Sequence, residues 1–179
     1  MQATRGAPVA PPEPIGAPAP RRAWWLALTA AVVLVADVIS KHLAVARLSG
    51  RAPVHVVGTL LQLTLRRNAG AAFSIGGGGG ETVVFSAVAV VVAAVIVRTA
   101  RTLRSRGWAI ALGLLLGGAL GNLGDRIFRA PGPFRGHVVD WIELPHWPVF
   151  NLADSAIVCG AVLAMLLVLL GIETDGSRR

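Results

Sequence analysis

The chain has 179 residues, of which 54% are hydrophobic and only 15% charged, with a mean hydropathy of +0.66. These values exclude an ordinary soluble globule and, for most of the chain, disorder, while a single cysteine, Cys159, excludes a disulfide framework. The net charge of +8 and pI near 11.7 call for a polyanionic partner, but apolar runs this long do not belong to a nucleic-acid-binding domain, so the expected polyanion is a membrane surface carrying acidic lipids.

Residues 1 to 22 hold Pro8, Pro11, Pro12, Pro14, Pro18 and Pro20 and few large apolar side chains, and read as a disordered cytoplasmic tail. Arg21 and Arg22 then open an apolar run over about 24–46 that is too long for a signal-peptide core. Val54 to Val57 and the alternation of Leu61, Leu63 and Leu65 with Gln62, Thr64 and Arg66 predict a small sheet or hairpin in an outside loop over 47–81. Gly76 to Gly80 reads as a mobile hinge. Further apolar runs over about 82–100, 108–124 and 150–172 each approach the roughly 20 residues that cross a hydrocarbon core. The pattern predicts an all-α polytopic membrane protein of four transmembrane helices, with a second outside loop over 125–149 and a short tail over 173–179. Trp24, Trp25 and Trp108 fall at one interface and Trp141 and Trp147 at the other. Basic residues are nearly balanced between the two sides; the short loop carrying Arg98, Arg101, Arg104 and Arg106 without an acid favours termini inside.

Within such spans polar residues are costly and face protein, water or each other. Asp125 ends the third span and Asp154 begins the fourth, and because one loop joins those ends, both carboxylates lie near one face of the membrane. Gly113, Gly117, Gly121 and Asp125 recur every four residues, placing Asp125 on a stripe of small residues that faces the bundle. Asn151, Asp154 and Ser155 share a face of the fourth span, and Asp37, Ser40 and Lys41 one of the first. Two carboxylates in a partly dry site share a proton, and such a pair can activate water for attack on an amide carbonyl without a metal or cofactor.

Blander roles compete with this one. Asp154 follows Asn151 where a helix cap is favoured, Asp37 and Lys41 at i, i+4 suit a structural pair, and Asp140 and Glu143 read as surface charges of a loop. The four histidines are scattered without an HExxH motif, Cys159 sits in an apolar helix, and Ser40 and Lys41, about 100° apart on a helix, make a poor nucleophile and base. The glycine run lacks the GK[ST] ending of a phosphate loop. A small proton-coupled transporter or channel is the rival reading, since intramembrane acids also build relays; their clustering at one leaflet counts against it.

Five blocks carry a more specific signal: Asp37-Val38-Ile39-Ser40-Lys41, Asn68-Ala69-Gly70-Ala71-Ala72-Phe73-Ser74, Gly118-Ala119-Leu120-Gly121-Asn122-Leu123-Gly124-Asp125-Arg126, Val138-Val139-Asp140-Trp141-Ile142 and Phe150-Asn151-Leu152-Ala153-Asp154-Ser155. In this order the chain resembles the bacterial lipoprotein signal peptidases, the signal peptidase II family. The resemblance implies an aspartic endopeptidase with Asp125 and Asp154 as catalytic residues, supported by Asp37, Lys41, Asn68, Asn122, Arg126, Asp140, Asn151 and Ser155. It also implies four helices in the bacterial cytoplasmic membrane with both termini cytoplasmic, a small extracytoplasmic sheet and an active site at the outer leaflet. The implied substrate is a diacylglyceryl-modified prolipoprotein cut just before its lipidated cysteine, with membrane lipids as surroundings and globomycin as an inhibitor. Gly124 departs from the family pattern, which usually has a larger apolar residue there, as does Val38 where a polar residue is common, so local packing is expected to be looser.

Overall fold

A computed structural model describes residues 21–70 and 80–179, so the Pro-rich tail up to Pro20 and the stretch from Ala71 to Gly79, with most of the glycine run, lie outside the described residues. Four helices are long and apolar enough to cross a membrane. They are α1 (Ala23–Leu48), α2 (Gly80–Thr99), α3 (Arg106–Phe128) and α4 (Leu152–Leu169), joined by strands β1 (Val54–Val57), β2 (Leu61–Asn68) and β3 (Val138–Glu143). The third helix runs beyond the expected end at about 124, so Asp125 sits within it, and Arg129 N closes the last turn onto Asp125 O. The fourth is shorter than expected because its start is fixed by a capping box: Asn151 Oδ1 accepts from Asp154 N and Asp154 Oδ2 accepts from Asn151 N.

Helix α3 is the hub, and glycine is what lets its neighbours close in. A Cβ at Gly117 would come within 2.7 Å of Val33 Cβ and 2.8 Å of Ala30 O on α1, and one at Gly118 would strike Ala153 O on α4. Without an aqueous driving force between helices, this close backbone approach supplies the van der Waals contact that holds the bundle. The apolar core (Leu26, Ala30, Ile96, Leu103, Ala109 and Leu116) gathers at the end where α1 starts and α4 finishes. There the last residues fold back instead of trailing away as a tail: Thr174 O accepts from Arg104 N and Ser105 N, and Ile172 O accepts from Trp108 Nε1 at 2.7 Å.

At the opposite end lies the sheet, antiparallel in the order β1-β2-β3. Its third strand, within the expected outside loop, pairs Asp140 with Arg66 and Val138 with Asn68. Phe150 then doubles back to bridge Ile142. This fold-back brings Asn151 and the start of α4 beside Asp140.

Packing at Gly117 predicts a sharp contrast. Gly117→Leu should collapse thermal stability in detergent, whereas Ile110→Ala, on an exposed part of the same helix, should leave it almost unchanged. Leu116→Ala, next to Gly117 but off its stripe, removes a buried core side chain and should also destabilise. Thermal melts of the three variants check the assignment; a Gly117→Leu protein as stable as Ile110→Ala would refute it.

Candidate active site

The polar residues singled out in the sequence converge where α1, α3 and α4 meet the sheet. Lys41 is the centre: 1% exposed, its Nζ lies 2.7 Å from Asp37 Oδ2 and 3.0 Å from Asp125 Oδ2, and donates to Asn122 Oδ1 at 2.9 Å. Asp37 is fully buried, and its Oδ1 accepts from Ala153 N at 3.0 Å, so a side chain of α1 helps cap α4. Asp125 is held on every side: Oδ2 by Lys41 and by Val139 N at 3.0 Å, and Oδ1 by Arg129 Nε one turn along. Arg129 was absent from the sequence-based site, although its i, i+4 spacing from Asp125 is a legible signal.

Asp140 is placed differently. The sequence pattern reads it as a surface charge, yet it is only 2% exposed, because β3 lies against the helix ends. Its partners are neutral amides: Asn68 Nδ2 donates to Oδ2 at 3.0 Å and Asn151 Nδ2 to Oδ1 at 2.6 Å. Its carboxyl is pushed up to about 6, by burial first and then by the nearby charge of Asp154, against the lowering effect of the Asn68 and Asn151 hydrogen bonds and of the Lys41 charge.

Asp154 is half-buried, with Oδ1 accepting from Asn122 Nδ2 at 2.7 Å and Oδ2 from Asn151 N at 3.1 Å. Asn151 therefore bridges the two acids, holding Asp140 with its side chain and Asp154 with its backbone, and it is itself fully buried. Asn122 is the other relay, taking Lys41 and Asn151 on its oxygen and giving to Asp154 from its nitrogen. Among the described residues neither Asp140 nor Asp154 has a cation within ion-pair distance. Ser155 stays local, donating from Oγ to Asn151 O, and Ser40 Oγ donates to Asp37 O, away from a nucleophile's role beside Lys41.

Two grooves flank α3. One, of about 390 Å³, is lined by Val88, Ala89, Val92, Leu115 and Ile157 and ends at Asn68, Asn122, Arg126 and Asp154. Arg126 stacks on Phe85 with its guanidinium carbon 5.3 Å from the ring centroid, and its buried Nη1 has no hydrogen-bond partner among the described residues. An apolar trough closed by two carboxamides, a carboxylate and a guanidinium with an unused donor can take a hydrophobic segment lengthwise and present one peptide bond to polar groups. The other groove, about 570 Å³ between α1 and α3, is lined by Val38, Gly121, Gly124, Asp125 and Arg129 among others; a Cβ on Gly124 would meet nothing within 4 Å. Among the described residues no three His, Cys, Asp or Glu side chains converge as a metal site.

The chain is similar to known proteins over most of its length. Residues 29–170 match the family model described as signal peptidase (SPase) II. The lipoprotein signal peptidase of Rhodococcus jostii strain RHA1 is 51% identical over 170 residues, covering 95% of this chain and 83% of that protein. That of Streptomyces coelicolor is 52% identical over 157 residues, covering 88% and 76%. A bacterial membrane enzyme solved by the in meso method at 1.9 Å resolution superposes with a TM-score of 0.70 at 27% identity, covering 80% of this chain and 92% of that one.

Proposed function

Because the chain belongs to the signal peptidase II family, membrane peptidases that process prolipoprotein signal peptides, we propose that it is an aspartic endopeptidase whose water-activating carboxylates are Asp125 and Asp154. The observation that carries this reading is that each of these acids lines one of the two grooves beside α3 while a single buried link joins them: Lys41 Nζ contacts Asp125 Oδ2 and donates to Asn122 Oδ1, and Asn122 Nδ2 donates to Asp154 Oδ1. Asp140 is only 2% exposed and lines neither groove; held by Asn68 and Asn151, it suits a support that fixes Asn151 and through it Asp154.

In this mechanism one carboxylate of the Asp125 and Asp154 pair takes a proton from water as the oxygen attacks the scissile carbonyl carbon, and the other, carrying the proton the pair shares, gives it to the carbonyl oxygen. The tetrahedral intermediate then collapses as a proton passes to the leaving nitrogen. Arg126, with its unused Nη1 beside Asp154, stabilises the developing oxyanion. The signal helix lies in the groove between α2 and α4, its scissile bond just before a cysteine whose diacylglyceryl chains remain in lipid; globomycin acts as an inhibitor of this site. A proton-coupled transporter finds no support in the comparisons, and the ionisable groups are gathered at one end of the helices instead of crossing the bilayer.

Cleavage of a lipidated prolipoprotein by purified variants tests the pair. Asp125→Asn and Asp154→Asn should each lower turnover by at least about 100-fold, the usual scale of acid-base catalysis, while the protein stays folded. Asp140→Asn leaves one of its two amide donors unmet and should chiefly lower the melting temperature, with activity recovering at low temperature. An Asp125→Asn or Asp154→Asn enzyme with near wild-type turnover rejects the pair.

The same reading places both termini in the cytoplasm and the carboxylates at the outer leaflet, because a signal peptide is cut after export. In a Cys159→Ala background, a cysteine at Thr59, in the exposed β1–β2 turn, should react with an impermeant thiol reagent on intact cells, and one at Thr102 should not. The reverse labelling pattern would put the site in the wrong leaflet.

A further inference from the structure

The end of the molecule remote from the carboxylates carries a second feature. Val91, Val95, Arg98 and Thr102 follow one another at spacings of four, three and four, so they form one stripe down the last turns of α2 and just beyond. The valines are 61% and 58% exposed, which on a membrane-crossing helix means facing lipid, and Arg98 is exposed immediately after them. Arg98, Thr99, Arg101 and Thr102 together with Val95 line a cleft of about 540 Å³. Among the described residues neither Arg98 nor Arg101 has an acid within ion-pair distance. The acids nearby are committed elsewhere, since Glu173 pairs with Arg179, and Asp175 accepts from Ser177 and lies in the field of Arg104.

We propose that this cleft binds the headgroup of an anionic phospholipid, its phosphodiester between the Arg98 and Arg101 guanidinium groups and one acyl chain along Val95 and Val91. Guanidinium forks match phosphate oxygens in geometry and charge, and the cleft lies where a membrane-crossing helix leaves the hydrocarbon, at the depth of lipid phosphates. The apolar stripe distinguishes a lipid from a soluble anion, which would use the arginines alone. The site is independent of the peptidase reading, because it lies at the opposite end of α2 from the carboxylate cluster.

Native mass spectrometry of the full chain, released from detergent containing equal phosphatidylglycerol and phosphatidylcholine of the same acyl chains, tests the proposal. The wild type should retain phosphatidylglycerol in preference, and Arg98→Gln/Arg101→Gln should cut that preference by about thirtyfold, the scale expected for two arginines at a membrane surface. Arg178→Gln/Arg179→Gln removes the same formal charge at the same end and should leave the preference intact. Equal loss in both double variants would reduce the effect to net charge and overturn the site, as would a wild type without preference. Displacement of the lipid by glycerol phosphate at matching concentration would show an anion site with no role for the acyl chain, and would also overturn it.

Discussion

One buried ammonium organises the reactive end of this protein. Lys41 is almost without solvent in a helix that crosses a membrane, so its charge must be met inside the protein. It is met by Asp37 from its own helix and Asp125 from α3, and its remaining donor reaches Asn122. Each partner then has a second task. Asp37 caps α4, Asp125 holds the start of β3 through Val139 N, and Asn122 orients Asp154. Removing Lys41 would strand two acids and release three elements together.

The same interaction explains why acids that look alike in the sequence behave differently. Asp37 and Asp125 contact Lys41 directly, whereas Asp154 is linked to it through Asn122 and Asp140 is held by the carboxamides of Asn68 and Asn151. A carboxamide orients a carboxylate without neutralising it, so the Asn122 link places Asp154 relative to Asp125 while leaving its charge unmatched. Asp154 also completes the capping box of α4, and a cap does not exclude a reactive role: the cap fixes Oδ2 while Oδ1 accepts from Asn122 at the groove.

Much of this was legible in the residues. Four long apolar runs, a glycine stripe every four residues and polar clusters at one leaflet follow from periodicity, and the structure shows helices packing through that stripe. The pairing of Asp37 with Lys41 follows from spacing alone. The burial of Asp140, which the resemblance named only as a supporting residue, does not, because it depends on β3 pairing with β2 across more than 70 residues and on Phe150 folding back over Ile142, neither of which has a local pattern. The link from Lys41 through Asn122 that joins Asp125 to Asp154 is likewise a tertiary fact. Ends of elements moved for local reasons, with the box at Asn151 trimming α4 and the i, i+4 contact of Arg129 with Asp125 accompanying a longer α3.

The division of labour among the acids is read most directly by turnover of a lipidated prolipoprotein in detergent, with the melting temperature of each variant measured beside it, for Asp125→Asn, Asp140→Asn and Asp154→Asn. Asp125→Asn and Asp154→Asn should lose turnover at temperatures where both remain folded, and Asp140→Asn should keep more turnover than either. Near wild-type turnover in Asp125→Asn together with loss in folded Asp140→Asn would contradict the assignment, making Asp140 the partner of Asp154 and Asp125 the structural acid.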